Sequence, residues 1–225
     1  MDLRLVIFDV DGTLVDSQAE IVSAMHAAFD VLGRPAPDRE AILSIVGLSL
    51  PVAMKKLVPN ARDHQLDAML AAYKAAFRAR RESMDGKAHA PLYPYAGDVL
   101  KQLHAQPETL LGVATGKSRR GLNALVEAHD LGSMLVTQHC ADDHPSKPHP
   151  SMIEAALADT GVSNRRAIMV GDTSFDMEMA RAAGILAIGV GWGYHDATQL
   201  KDAHMLIDDI RLLPGLLEQI WSQMT

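Results

Sequence analysis

The stretch Leu3-Arg4-Leu5-Val6-Ile7-Phe8-Asp9-Val10-Asp11-Gly12-Thr13-Leu14-Val15-Asp16-Ser17 decides the reading of this chain. It begins as an apolar run rich in β-branched residues and ends abruptly in carboxylates. A strand buried on both faces of a parallel sheet has this continuous apolar character, and it delivers the residues after it to the carboxyl edge of the sheet. Gly12 permits a sharp backbone exit there. Asp9 and Asp11 are two residues apart, so on a continuing strand their side chains share one face. Adjacent carboxylates repel unless a proton or a cation lies between them. A hard divalent metal with oxygen ligands, Mg²⁺ foremost, is the natural partner. Taken alone, Asp-x-Asp-x-Thr also fits a strand that ends in a polar turn.

Past this strand, residues 16–84 show helical periodicity and almost no strand signal. Ile21, Met25 and Phe29 form one stripe of a helix over 19–29. Further helices are expected over 38–46, 50–58 and 62–84, with Gly33-Arg34-Pro35, Gly47 and Pro59 as breaks. From Pro94 the pattern alternates. Strands are expected at 109–115, 134–137, 167–172, 185–190 and 205–207. Helices are expected at 95–106, 118–129, 150–160, 175–183 and 210–221. Repeated βα units mean a parallel sheet covered on both faces, with sites at the carboxyl ends of its strands. The expected architecture is α/β: a Rossmann-like parallel-sheet core from residues 1–15 and 90–225, with an all-helical cap inserted at 16–89. Two short tethers, near residues 15–17 and 85–92, read as irregular and permit hinge closure of the cap. The loop at Gly47 and Leu48 is placed to reach down over the site.

Composition narrows the class. Of 225 residues 48% are apolar and 22% charged, which is enough for a substantial core and argues against disorder. The net charge of −7, with both signs mixed along the chain, argues against a nucleic-acid-binding face. One cysteine, Cys140, excludes an internal disulfide framework and, with no signal pattern at the start, leads us to expect a cytoplasmic protein. No apolar run approaches membrane-spanning length.

Three more polar clusters fall at strand ends. Thr115 and Gly116 offer a hydroxyl and a bare backbone amide at a helix start, an arrangement suited to phosphate and equally to a helix cap. Lys147 lies between prolines in Ser146-Lys147-Pro148-His149-Pro150, which fixes its local backbone. Gly171-Asp172 ends the next strand, and Asp176 follows four residues later, so both acids can face one metal.

In this order the set resembles the four motifs of the haloacid-dehalogenase-like hydrolases: Asp9-x-Asp11-x-Thr13, Thr115, Lys147 and Gly171-Asp172-x-x-x-Asp176. The resemblance covers essentially the whole chain. The position of the insertion matches the subclass whose helical cap follows the first motif. Ala114-Thr115-Gly116-Lys117 and Tyr93-Pro94-Tyr95-Ala96-Gly97 resemble the phosphoglycolate-phosphatase-like branch. The resemblance implies that Asp9 attacks phosphorus to form an aspartyl-phosphate, and that Asp11 protonates the leaving oxygen and then activates water. It implies Mg²⁺ on the Asp9 carboxylate, the Asp11 carbonyl and Asp172, with Asp176 ligating or reaching it through water. It implies phosphoryl or substrate contacts from Thr13, Thr115, the Gly116 amide and Lys147, with Gly47 and Leu48 contributing from the cap. The expected partner is a small phosphorylated metabolite, met by a monomer or homodimer, with neither nucleic acid nor membrane involved.

Other features carry plainer readings. His139, Cys140, Asp142, Asp143, His144 and His149 crowd one segment, but their spacing fits no standard zinc pattern and a loop leading to Lys147 explains them. Gly189, Gly191 and Gly193 follow a late strand without the helix and acid of a dinucleotide site. Arg78, Arg80 and Arg81 read as a solvated helix face. A sugar-phosphate mutase shares all four motifs and is the alternative enzyme. A dehalogenase is disfavoured by Asp11, and a phosphonatase by the absence of Lys from Gly47-Leu48-Ser49-Leu50. A non-catalytic phosphometabolite sensor is disfavoured by the presence of Asp9, Asp11, Lys147 and Asp172 together.

Overall fold

The computed structural model describes residues 3–84 and 86–223. Strand β1 (Arg4–Phe8) is buried at every position. Five helices follow it, α1 (Gln18–Asp30), α2 (Arg39–Leu43), α3 (Leu50–Leu57), α4 (Asp63–Ser83) and α5 (Gly86–His89), and then α6 (Ala96–His104). The alternating half comprises β2 (Thr109–Thr115), α7 (Arg119–Ala128), β3 (Leu135–Cys140), α8 (Ser151–Thr160), β4 (Ala167–Gly171), α9 (Ser174–Ala182), β5 (Leu186–Val190), β6 (Met205–Ile207) and α10 (Leu213–Ser222).

The strands form one parallel sheet in the order β3-β2-β1-β4-β5-β6. Alternation along β1 divides the core. Val6 and Phe8 point to a layer that includes Leu100, Leu122 and Leu217 of α6, α7 and α10. Leu5 and Ile7 point to the layer of Met152, Ile153 and Met177 from α8 and α9. Because β2 lies on one side of β1 and β4 on the other, the connections diverge at β1 and leave a crevice at the carboxyl ends of those strands. Asp9, Thr115 and Asp172 stand at that edge.

The insertion has its own apolar core. The stripe of Ile21, Met25 and Phe29 packs with Ile42, Met54 and Met69. Its entry and exit run side by side: Val15 and Leu92 form an antiparallel bridge, the Asp16 N–H donates to Pro91 O (2.9 Å) and the Tyr93 N–H to Leu14 O (2.9 Å).

Four sequence expectations are corrected. The second tether is not irregular throughout, since residues 86–89 form α5; Asp85 lies outside the described residues. Helix α2 ends at Leu43 rather than residue 46, because the chain turns at 44–48 to pass Gly47 (φ +97°) toward the sheet edge. Strand β3 continues to Cys140: Gln138 and His139 pair with Val113 and Ala114, and an edge position tolerates polar residues that mask the strand pattern. The last helix is preceded by a 3₁₀ turn at Ile210–Leu212.

Candidate active site

Asp9, the first residue after β1, is 1% exposed, and its Oδ2 accepts no hydrogen bond from the described residues. Lys147 Nζ stands 2.8 Å from Asp9 Oδ1 as an ion pair and donates to Asp176 Oδ1 at 2.6 Å. Asp9, Asp172 and Asp176 bring ligand atoms within 4.8 Å of one another, all buried. Three carboxylates with one ammonium leave excess negative charge in a dry site. Burial pushes the Asp9 carboxyl up to about 7, against the pull of Lys147, with Asp176 adding to the rise. Burial, then Asp9 and Asp176, also holds Asp172 well above the usual carboxylate range. Burial opposes the Lys147 charge, but Asp176 and Asp9 outweigh it and hold the ammonium above its ordinary value. An orphaned Asp9 oxygen beside two further carboxylates fits a hard divalent cation with oxygen ligands.

The other two acids are oriented differently. Asp172 Oδ1 accepts from Thr13 Oγ1 (2.8 Å) and Oδ2 from the Tyr194 N–H (2.8 Å). Asp176 Oδ2 accepts from the Thr173 N–H (3.0 Å) and hydroxyl (2.7 Å), the reciprocal cap of α9. Both Asp176 oxygens therefore already have protein donors, which favours contact with a cation through water. Two glycines let the backbone close on Asp172. A Cβ on Gly12 (φ +90°) or on Gly193 would lie 2.1 Å from an Asp172 side-chain atom.

The Asp11 carboxylate lies outside this cluster. Lys117 Nζ donates to both its oxygens, at 2.6 and 2.8 Å, and the Ser17 hydroxyl donates to Oδ1. Ser17 is fully buried; its N–H donates to the Tyr194 hydroxyl (3.1 Å), which also meets Ser17 Oγ at 3.2 Å. Tyr194 thus holds Asp172 through its backbone and Asp11 through Ser17. Trp192 Nε1 donates to Thr13 O (3.1 Å), pinning the same turn.

A cavity of about 580 Å³ opens above Asp9 and Asp11, lined also by Thr115, Gly116, Lys117, Gly47 and Leu48. The 44–49 loop docks on the sheet edge. The Ser49 N–H donates to Ser146 Oγ (2.8 Å), and His195 Nε2 meets Ser44 O at 3.1 Å. The Ser174 N–H donates to His195 Nδ1 (3.1 Å), which fixes the tautomer with the proton on Nε2. A Cβ on Gly116 would lie 2.5 Å from Gly47 O and 2.7 Å from Leu48 O, so loop and strand end touch through bare backbone.

The structure therefore brings Asp9, Asp11, Thr115, Gly116, Gly47 and Leu48 to one cavity and sets Lys147, Asp172 and Asp176 directly behind Asp9. Thr13 departs from its expected phosphate contact: it is fully buried and spends its hydroxyl on Asp172. Arg78 and Arg80 are exposed, as the solvated reading of this face expects, but the face does more than meet water. Arg80 forms a two-pronged ion pair with buried Glu20, and Arg78 and Arg81 line the cavity. Sequence reasoning missed Lys117 as the partner of Asp11, and Ser17, Trp192 and Tyr194 as supports. Only Lys117 carried a signal, as the residue directly after the Thr115-Gly116 strand end. His139, His144, Asp159 and Ser151 form a hydrogen-bonded chain beside β3.

Comparison with known proteins agrees with this geometry. A family model described as haloacid dehalogenase-like hydrolase matches residues 6–190. A protein of Dickeya dadantii named Probable phosphatase IndB is 41% identical over 202 residues, covering 88% of this chain and 86% of its own. The phosphoglycolate phosphatase of Chromobacterium violaceum is 32% identical over 217 residues, covering 96% and 97%. A hydrolase structure from Pseudomonas syringae superposes with a TM-score of 0.82 at 24% identity, covering 97% of this chain and 99% of that one. The chain belongs to the haloacid dehalogenase-like hydrolases, and both relatives described carry phosphatase names. Among the described residues no helix is long and apolar enough to cross a membrane.

Proposed function

We propose that the protein is a Mg²⁺-dependent phosphatase that hydrolyses a small phosphate monoester, of the phosphoglycolate kind, through an aspartyl-phosphate on Asp9. The observation that carries this reading is the state of Asp9. It is a buried carboxylate with one oxygen paired to Lys147 and the other without a donor, at the floor of a metabolite-sized cavity, with Asp172 and Asp176 within reach. Curated relatives named phosphoglycolate phosphatase support the substrate class.

In the first half-reaction an Asp9 oxygen forms a bond to phosphorus as the ester P–O bond breaks, and the leaving oxygen takes a proton from Asp11. In the second, water bonds to phosphorus, Asp11 takes the water's proton, and the acyl-phosphate bond breaks to return Asp9 and release phosphate. Lys117 and Ser17 hold the Asp11 carboxylate in position for both transfers. Thr115 and the Gly116 amide face the cavity where the phosphoryl oxygens sit, and Lys147 bridges Asp9 and Asp176 and offsets their charge. Asp9, Asp172 and Asp176 would hold Mg²⁺, which would supply the charge neutralisation that phosphoryl transfer needs. The helical insertion acts as a cap whose 44–49 loop closes the cavity and excludes water.

A phosphate-release screen over phosphorylated metabolites, with Mg²⁺ and with EDTA, tests this reading. Mg²⁺-dependent net release from small esters, lost in Asp9→Asn, is expected. Isomerised sugar phosphate without net release points to a mutase, and activity surviving Asp9→Asn removes Asp9 as the nucleophile.

A further inference from the structure

The cations around the cavity do not all have the same employment. Lys147 answers to Asp9 and Asp176, Lys117 to Asp11, and Arg80 to Glu20. Lys74, Arg78 and Arg81 also line the cavity, yet among the described residues none of them has an acidic partner. They stand at i, i+4 and i+7 on α4, which places them on one helix face. Like charges at this spacing disfavour a helix, and only Arg81, in the last turn, is helped by the helix's negative end. Tyr73 and Phe77, stacked on each other at 5.9 Å, line the same wall. Tyr73 is half-buried, and burial and then Asp11 raise its pKa, so it remains a neutral donor.

The transferring phosphoryl group is provided for at the cavity floor by Asp9, Thr115 and Gly116, with Lys147, Asp172 and Asp176 behind Asp9. The α4 stripe lies on the opposite, cap side. Uncompensated charge of one sign in a cavity with apolar walls concentrates a ligand of the other sign. Arginine forks in particular match the paired oxygens of a carboxylate or a phosphate.

We propose that Arg78 and Arg81, supported by Lys74, form a second anion-binding subsite on the cap, and that the substrate is a phosphate monoester carrying another anionic group at its far end. This proposal rests on the phosphatase reading for the orientation of the ligand. The second group is a carboxylate or a second phosphate; both present the same oxygen geometry to an arginine, and the two arms of the test separate them.

The test uses phosphonates, which bind without being hydrolysed, and so does not depend on turnover. Calorimetry on the full chain with excess Mg²⁺ compares 3-phosphonopropionate and ethylenediphosphonate with propylphosphonate, which lacks the second charge. At least one charged-tail probe is expected to bind about tenfold or more tightly than propylphosphonate, as charge-assisted bonds to arginine imply. Arg78→Gln/Arg81→Gln is expected to abolish that ratio, and Arg78→Gln alone to reduce it. Each ligand chelates free Mg²⁺ equally with either protein, so the change in ratio reads the subsite. Circular dichroism establishes that the variants are folded, and Arg78 is exposed, so its single replacement disturbs no core. No preference in the wild type, or a preference that survives the double replacement, overturns the proposal. Failure of the phosphatase reading shows separately, as absent phosphate release with the binding ratio intact.

Discussion

Gly116→Ala isolates the contact between the helical insertion and the sheet edge. The added Cβ would lie 2.5 Å from Gly47 O, 2.7 Å from Leu48 O and 2.9 Å from Gly47 C, all of them backbone atoms that no rotamer change can move aside. Forcing a methyl into such a contact costs about 1–3 kcal/mol. The alternative is for the 44–49 loop to lift, which gives up the hydrogen bonds from Ser49 to Ser146 and from His195 to Ser44. At about 0.5–1.5 kcal/mol each, those two bonds are worth about 1–3 kcal/mol together, so strain and release are matched and the open form becomes populated. For a chain of this length each kcal/mol lowers Tm by about 2–4 °C, which places the expected fall at about 2–12 °C. Gly132→Ala is the control, because its Cβ meets only Val126 Cγ1 at an ordinary 3.7 Å. Thermal unfolding and kcat/KM on a metabolite panel, measured on both variants, provide the assay. Wild-type Tm together with an unaltered substrate ranking in Gly116→Ala would refute the claim that this loop closes on the site.

Tyr194→Phe keeps the backbone donor to Asp172 but strips the buried Ser17 N–H of its acceptor, a loss of about 1–3 kcal/mol readable by denaturant titration; kcat should fall with it as Asp11 loses its support, and an unchanged midpoint counts against the Tyr194–Ser17 link. Mg²⁺ at about a hundred times its Kd should stabilise the protein by about 2.7 kcal/mol, and Asp172→Asn should abolish that gain in a thermal-shift titration. On acidification His89 and Glu20 should each withdraw stability, against the gain from Asp9 and Asp172, whose raised carboxyls take up protons first in the folded chain. Burial holds His89 below its ordinary 6.5, so the unfolded chain takes up a proton first as pH drops through that value; the Arg80 bonds, against burial, hold Glu20 below its ordinary 4.5, so the pair's contribution is present above 4.5 and lost as pH falls below it. Glu20→Gln should flatten the second of these losses and His89→Leu the first, and parallel pH profiles for all three proteins would remove these groups from the account.

The parts of the site that can be read from sequence are those that a single element displays. An apolar run ending in Asp9 is visible because a strand buried on both faces has no room for polar residues until it leaves the sheet. Thr115 and Asp172 are visible for the same reason, since each closes an apolar strand. Lys147 is visible only because prolines flank it, and its contact with Asp176 spans 29 residues of sequence. The supports of the acids are not visible. Tyr194 reaches Ser17 across 177 residues and Asp172 across 22, and the path of the loop after β5 decides both contacts. The glycines of that loop show in sequence only the lack of a dinucleotide pattern, yet Gly193 is where the backbone must approach Asp172 too closely for a side chain. Thr13 shows the complementary limit. Its place beside Asp11 invites a role on the substrate, whereas the turn through Gly12 carries its hydroxyl behind the cluster to Asp172.

The three arginines of α4 show what an element alone does and does not determine. At about 100° per residue, Arg81 lies about 60° from Arg78 around the helix, while Arg80 lies about 160° from it on the far side. The separation into two faces is therefore fixed by spacing, before any fold is known. The opposing surface is what gives each face its meaning. One side of α4 packs along α1, where Glu20 would be a buried carboxylate without a counter-charge if Arg80 did not meet it. The other side meets no acid among the described residues, only the cavity above Asp9 and Asp11. One helix thus carries a cation that holds the insertion together and, a fraction of a turn away, cations whose partner must arrive from outside the chain.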